Sequence, residues 1–405
     1  MIDLGLARVG RLLQSTPQNW KAIHVAGTNG KGSICAYISA MLHASGVSCA
    51  RFTSPHLIDR WDCITINEKP VSESLFRDVE NVVKKIDRDY GIEATEFELL
   101  TATAFEIFNR SRVDFGVIEV GMGGESDATN VLKQKSVTVI SKIGFDHQSF
   151  LGNTLSEIAQ QKAGIMRPGV PCVFDCSNLP EVQKAVREHA ASLRVDIHNP
   201  MDKGVDRELA KQGYEPHQLW NIGCAQMAFR LACPKRDASW PHLLPIIRQV
   251  QWPGRLQRLN IQRLTGRLQE VLLDGAHNPQ SAQVLADYVQ KHLRSSGRPV
   301  TWVFASTAGK DADGVLRLLI QNGDIFAAVR FGPVDGMPWV KAEDPAKLID
   351  LACLHEADGD RVYNAHDHVG NALGWACREA GDGPLVIAGS LYLVSSVLRL
   401  LRQYS

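Results

Sequence analysis

The sequence predicts an α/β protein. An N-terminal, mostly parallel sheet domain of the P-loop type, with helices on both faces, is followed by a smaller Rossmann-like α/β domain. Three observations lead there. Short apolar runs alternate with helical stretches, the pattern of a parallel sheet covered by helices. The chain has 405 residues, too many for one ordinary core. Near its start an apolar run enters a glycine-rich turn and then a helical stretch, H-V-A-G-T-N-G-K-G-S at 24–33.

The elements follow in order. The opening M-I-D-L-G-L-A-R-V-G-R-L-L is amphipathic and carries two arginines, as a mitochondrial leader would. Its apolar residues equally suit a core-facing first helix, the reading preferred here. Strands are expected at Ala22–Ala26, Val47–Phe52, Phe115–Val120, Val137–Ile143 and Val170–Phe174. Residues 194–216 are polar, uneven and charged, and read as an irregular excursion or a short hairpin region. Pro253 and Gly254 mark a turn in Q-V-Q-W-P-G-R-L-Q-R, which divides the chain into domains at 1–250 and 251–405. The strand pattern then returns in E-V-L-L-D-G, T-W-V-F-A-S, I-F-A-A-V-R-F and P-L-V-I-A-G. No internal repeat or low-complexity tract interrupts it.

Composition narrows the function. Lys plus Arg and Asp plus Glu both total 44, so no net field draws the protein to nucleic acid or an anionic membrane. No apolar run has the length of a bilayer span. Nine scattered cysteines form no disulfide framework, and Cys172 and Cys176 lack the partners of a zinc site. Reduced thiols in a cytoplasmic protein are expected.

The glycine-rich segment departs from the common G-x-x-x-x-G-K-[ST] spacing, because Gly32 separates Lys31 from Ser33. Its order is still what phosphate binding needs: a strand, a turn of Gly27, Thr28, Asn29 and Gly30, then a helix from Lys31. Glycines let backbone N–H groups face one point, and the helix N-terminus adds free donors and partial positive charge. Lys31 supplies a point charge for the outer phosphates and Ser33 a hydroxyl for a metal ion. Ligands of an open parallel sheet bind beyond the carboxyl ends of its strands. Glu119 ends one strand and His147 follows another, on the same edge as the loop. Such a set suits Mg²⁺ bridging ATP phosphates, although histidine is an unusual Mg²⁺ ligand. The plain alternatives are a surface carboxylate paired with a lysine and a satisfied core histidine.

The segment at 24–33 resembles the nucleotide loop of the folylpolyglutamate synthase and dihydrofolate synthase family of Mur-type ATP-dependent amide ligases. The resemblance runs through S-P-H-L at 54–57, T-E-F-E-L-L-T-A-T-A-F at 95–105 and E-V-G-M-G-G-E-S-D-A-T-N at 119–130. It continues through G-F-D-H-Q-S-F-L-G at 144–152, Q-K-A-G-I at 161–165, W-P-G-R at 252–255, D-G-A-H-N-P-Q-S at 274–281 and A-G-S-L-Y-L-V at 388–394. It thus covers essentially the whole chain.

The resemblance implies roles. Glu119, His147 and Ser54 would be metal ligands, Ser54 otherwise being a turn residue before proline. Lys162 matches a lysine that several relatives carry as a carbamate, able to bind a second metal; alone it would read as a helix-face lysine in solvent. Toward the second domain, Asn221 and Arg255 would face the nucleotide, and Asp274 its ribose. Arg255 as a linker ion pair and Asp274 as a helix N-cap are the alternatives. His277 would lie near the phosphates or the incoming amino acid, and Ser390 would help hold glutamate. Phe97 and the D-A-T-N stretch at 127–130, with Asp127, Ala128 and Thr129, match the pteroyl region, where Phe97 would stack on a pterin and Asp127 would bond it. Otherwise Phe97 is core and Asp127 caps a turn.

The implied reaction is activation of a carboxylate as an acyl phosphate by ATP and its capture by the α-amine of L-glutamate, in a monomer acting on small molecules. The acid would be dihydropteroate, or a folate in polyglutamylation. Many bacterial members carry arginine where this chain has Glu125. The segments S-P-H-L-I-D-R-W-D-C-I-T-I-N and K-I-G-F-D-H-Q-S-F-L-G-N look most like the fungal dihydrofolate synthase branch, which implies the single-activity synthase. A P-loop kinase or switch would explain residues 24–33 but not D-G-A-H-N-P. A non-catalytic scaffold would not need Lys31, Glu119, His147, Lys162 and Arg255 together.

Overall fold

A computed structural model describes residues 4–200, 209 and 212–404. Part of the excursion expected at 194–216 lies outside them. The chain forms two compact units, Met1–His56 with Trp61–Gln251, and Leu57–Arg60 with Trp252–Ser405.

The first unit is built on an eight-stranded sheet. Its strands are β1 (Lys21–Ala26), β2 (Cys49–Phe52), β3 (Ile64–Ile66), β4 (Lys69–Pro70), β5 (Phe115–Glu119), β6 (Lys135–Ile140), β7 (Cys172–Phe174) and β8 (Ile197–His198). Their order is β4-β3-β2-β5-β1-β6-β7-β8, with antiparallel pairing only between β2, β3 and β4. The central strands read as continuous apolar runs because both faces are covered. Ile23 and Val25 enter a core shared with helices Lys31–Ala44 and Pro216–Ala232. On the opposite face, Ala22 packs with residues of helices Glu73–Asp89 and Glu96–Arg110, and Ala26 with residues of Leu155–Ala163 and Pro180–Leu193. Sequence sets these helices locally: Ser72 caps the first, while Thr95 with Glu98 and Thr154 with Glu157 close reciprocal capping boxes. The opening helix, Ala7–Leu12, turns Val9 and Leu12 inward.

The second unit carries β9 (Gln257–Leu259), β10 (Val271–Leu273), β11 (Thr301–Phe304), β12 (Ile325–Ala328), β13 (Val362–Asn364) and β14 (Leu385–Ala388). Their order is β13-β12-β11-β14-β10-β9, parallel except for the edge strand β9. Apolar clusters cover both faces. At the base of β11 and β12, the fully buried Asp324 accepts from Arg294 at 2.8 and 2.6 Å, from Trp302 Nε1 at 2.9 Å and from the Val300 and Gln321 amides. A buried carboxylate is tolerated there because its charge and lone pairs are met.

The α/β class is as expected, and every strand read from an apolar run is present. The strands not foreseen, β3, β4, β8, β9 and β13, have two or three residues each, too few to show a period. No helix among the described residues is long and apolar enough to cross a membrane, and all nine cysteines are free thiols.

Candidate active site

The phosphate loop leaves the carboxyl end of β1 between the ends of β5 and β6. Hydrogen bonds fasten it to the segment after β6. The Thr28 and Asn29 amides donate to Lys142 O at 2.8 and 3.1 Å, and Ser141 Oγ donates to Asn29 O at 2.8 Å. Gly30 then adopts φ +89° and starts helix Lys31–Ala44, whose first N–H groups have no partner within the helix. The glycines are required by space as well as by φ. A β-carbon on Gly27 would stand 1.8 Å from Ser141 Oγ, and one on Gly30 2.3 Å from Asn221 Oδ1. Asn221 therefore belongs with the first unit, on helix Pro216–Ala232, which packs on helix Lys31–Ala44 and brings its amide to the loop. Gly27→Ala is expected to displace the loop and weaken ADP binding at least about tenfold, or about 1.4 kcal/mol. Calorimetric titration checks this, and an unchanged Kd would contradict it.

Charged groups meet at the same strand edge. Glu119 is 6% exposed, with Oε1 3.8 Å from Lys31 Nζ and Oε2 accepting from the Ser54 amide at 3.2 Å. It is a buried carboxylate facing the loop, not a surface partner. Lys31 Nζ also donates to Thr28 O at 3.2 Å, which folds it over the turn. Lys162 is buried, and its Nζ donates to Gly27 O at 2.8 Å, so it too is no solvent-facing lysine. His147, in the left-handed conformation at φ 53°, heads the short helix Gln148–Leu151 with its side chain 38% exposed beside Asp146. Ser33 stands in the first turn of the loop helix.

The segment 121–131 is fixed from beneath. Gly124 lies where a β-carbon would strike Gln161 O and Lys162 O, and the Glu125 amide donates to Gln161 O at 2.8 Å. Asp127 is buried and caps the turn Ala128–Val131. Its Oδ1 accepts from the Thr129 amide at 3.0 Å and from Thr129 Oγ1 at 2.5 Å, and its Oδ2 from the Met122 amide at 2.8 Å. Burial raises its pKa, and these bonds oppose the rise. Phe97 is half-buried, stacked at 6.1 Å on Phe52 and lying over Gly121.

Asn130, the last residue of D-A-T-N, and two residues not singled out from sequence, Lys135 and Arg167, complete the support. Asn130 donates to Glu125 O and Gly164 O, while its Oδ1 receives Lys135 Nζ at 2.6 Å and Arg167 Nη2 at 3.0 Å. Burial, with Arg167 nearby, lowers the Lys135 pKa from 10.5 to about 6. A neutral amine still supplies two donors, which go to Asn130 and, at 2.7 Å, to Ile165 O. Between those two pKa values the unfolded chain holds one more proton, so stability rises with pH and the gain is lost on acidification toward about 6. Lys135 contributes a slope of at most about 1.4 kcal/mol per pH unit. Urea unfolding from about pH 6 to about pH 9 should give a flatter stability profile for Lys135→Met than for wild type. Parallel profiles would contradict the buried neutral amine.

In the second unit, Arg255, Asp274, His277 and Ser390 gather around the carboxyl ends of β10 and β14. Asp274 is buried, its Oδ2 accepting from the Leu256 amide at 2.7 Å and its Oδ1 from the Ala276 amide at 2.8 Å. It clamps two loops, while Asn278 caps the following helix, Pro279–His292. Burial raises its pKa against the pull of Arg255. His277 Nδ1 lies 2.9 Å from Gly275 O, and a β-carbon on Gly275 would come within 2.7 Å of Arg255 Nη1. Ser390 caps helix Leu391–Gln403 through the Tyr392 amide.

This geometry has relatives. The Mur ligase middle domain matches residues 25–171, and the C-terminal domain of dihydrofolate synthetase matches residues 257–400. Over 420 residues the chain is 36% identical to the probable dihydrofolate synthetase of Schizosaccharomyces pombe, covering 99% of each protein. The chain belongs to the dihydrofolate synthase and folylpolyglutamate synthase family. It is also 35% identical to the dihydrofolate synthetase of Saccharomyces cerevisiae over 433 residues, covering 98% of each. Among solved members, the Mycobacterium tuberculosis folylpolyglutamate synthase, complexed with ADP and AMPPCP, superposes with a TM-score of 0.83. That match has 26% identity and covers 98% of this chain and 95% of the other.

The donor set of this family member fits a divalent cation that arrives with a nucleotide. No three His, Cys, Asp or Glu side chains among the described residues form a metal cage. The strand edge instead offers one buried carboxylate, hydroxyls and an imidazole. A hard cation that keeps waters and phosphate oxygens needs no more than one or two carboxylates from protein.

Proposed function

We propose that this family member is a dihydrofolate synthase, joining L-glutamate to dihydropteroate with conversion of ATP to ADP and phosphate. The observation that supports this reading is the end-to-end similarity to fungal dihydrofolate synthetases, with the dihydrofolate synthetase C-terminal domain spanning most of the second unit. Residues 1–250 would hold ATP and the pteroate, and residues 251–405 the glutamate, in a cytoplasmic monomer.

The chemistry falls to named groups. Gly27, Thr28, Asn29, Gly30, Lys31, Gly32 and Ser33 cradle the phosphates, with Asn221 against the loop and Asp274 for the ribose. The pteroate carboxylate attacks the γ-phosphorus, forming an acyl phosphate and expelling ADP. Lys31 and Arg255 spread the charge that gathers on the phosphoryl oxygens. Glutamate, held by His277 and Ser390, attacks through its deprotonated amine; the C–N bond forms and inorganic phosphate leaves. Phe97, Asp127, Ala128 and Thr129 hold the pteroyl group. Ser33, Ser54, Glu119 and His147, with Lys162 once carbamylated, would hold Mg²⁺, which when bound withdraws charge from phosphate oxygens.

Purified protein supplied with ATP, Mg²⁺ and glutamate, and with either dihydropteroate or tetrahydrofolate, tests this by product mass. Dihydrofolate from the first acid and no added glutamate on the second is the expected result. Extension of tetrahydrofolate alone would replace the reading with folylpolyglutamate synthesis, and extension of both with a bifunctional enzyme.

A further inference from the structure

One polar side chain in the core of β1 is used by none of these steps. His24 is fully buried in a strand otherwise filled by Ala22, Ile23, Val25 and Ala26. Its Nε2 lies 2.8 Å from Thr129 Oγ1. The single proton of that hydroxyl is committed to Asp127 Oδ1, so His24 must donate from Nε2. The result is a directional chain, from imidazole N–H to hydroxyl to carboxylate, running from the strand that bears the phosphate loop to the segment assigned to the pteroyl group. This tautomer leaves Nδ1 a bare acceptor, buried with no hydrogen-bond partner among the described residues. An unmet buried acceptor carries a desolvation cost that an apolar residue at position 24 would avoid. Burial, with the Arg167 charge nearby, holds the ring's pKa well below the usual range, so the donor stays a neutral imidazole.

We propose that His24 is a positioning residue for pteroate use: through Thr129 it sets the orientation of the Asp127 carboxylate and the shape of the segment that receives the pteroyl group. The proposal rests on the pteroate reading of Asp127 given above. His24 precedes Gly27 by three residues, so the same strand fixes the phosphate loop and, through this chain, the acid that must reach it.

The test compares two amides that differ in reach. The nitrogen of a glutamine side chain can occupy the place of Nε2 and donate to Thr129, while that of asparagine is one bond too short. His24→Asn is expected to raise KM for dihydropteroate about tenfold while KM for ATP stays within about twofold. His24→Gln is expected to restore the dihydropteroate KM to within about threefold of wild type. Equal rises of both KM values in His24→Asn, or failure of His24→Gln to recover, would overturn the proposal. Should His24→Asn not fold, His24→Leu removes the donor to Thr129 while keeping an apolar side chain in the buried strand. A rise confined to the dihydropteroate KM supports the chain, and an unselective rise overturns it. A wild-type enzyme that makes no product from dihydropteroate would sink the substrate reading and this proposal with it. A wild type that makes dihydrofolate, with variants that show no selective loss, sinks this proposal alone.

Discussion

Replacing Lys31 with alanine should lower kcat about a thousandfold, roughly 4 kcal/mol of transition-state stabilisation. The ammonium sits over the turn that leads into the loop helix, 3.2 Å from Thr28 O and 3.8 Å from Glu119. It is the one full positive charge within the phosphate-loop motif, where backbone donors supply only partial charges. With the role proposed for it on the outer phosphates, affinity for a non-hydrolysable ATP analogue should fall more than affinity for ADP. The fold should be retained, because the ion pair it leaves is long at 3.8 Å and Glu119 keeps the Ser54 amide. Parallel measurement of kcat, nucleotide Kd and the urea midpoint checks all three. Near-normal turnover in a folded Lys31→Ala protein would remove the phosphate role.

Lys162→Met should be nearly as damaging, with kcat down about a hundredfold or more and the fold retained. Lys162 is buried in the last turn of helix Leu155–Ala163, and methionine keeps most of its apolar stem there. What is lost is the tie from Nζ to Gly27 O, at the first residue of the loop. A carbamate on that nitrogen would keep one N–H for the same bond while adding two oxygens able to bind a cation. Wild-type enzyme depleted of dissolved carbon dioxide should therefore lose activity and regain it with bicarbonate, whereas Lys162→Met should not respond. Full activity of the wild type after depletion would leave Lys162 as a structural tie only.

The phosphate loop was legible because its determinants are local: a strand, two glycines needed for close approach and a helix start lie within ten consecutive residues, 24–33. Glu119 and Lys31 could be brought together from sequence because parallel strands place their carboxyl ends on one edge. The polar support under segment 121–131 was not legible. His24 pairs with a residue 105 positions away, and within H-V-A it reads as part of an apolar strand. Lys135 conceals the start of β6, which was expected from Val137, because a charged residue looks like a loop until its two acceptors are seen. Residues 57–60 group with the second unit through bonds from Arg399 and Arg402 to Ile58 and Asp59, more than 300 positions apart, and no local pattern signals that. Asn221 reaches the phosphate loop through helix packing, which motif order alone did not locate.

The most direct measurement follows one labelled oxygen. Dihydropteroate carrying heavy oxygen in its carboxylate is turned over with ATP and glutamate, and the inorganic phosphate is analysed by mass. Passage through an acyl phosphate transfers one carboxylate oxygen to phosphate at each turnover, and that is the expected result. Phosphate free of the label, formed at the same rate as dihydrofolate, would contradict carboxylate attack on the γ-phosphorus.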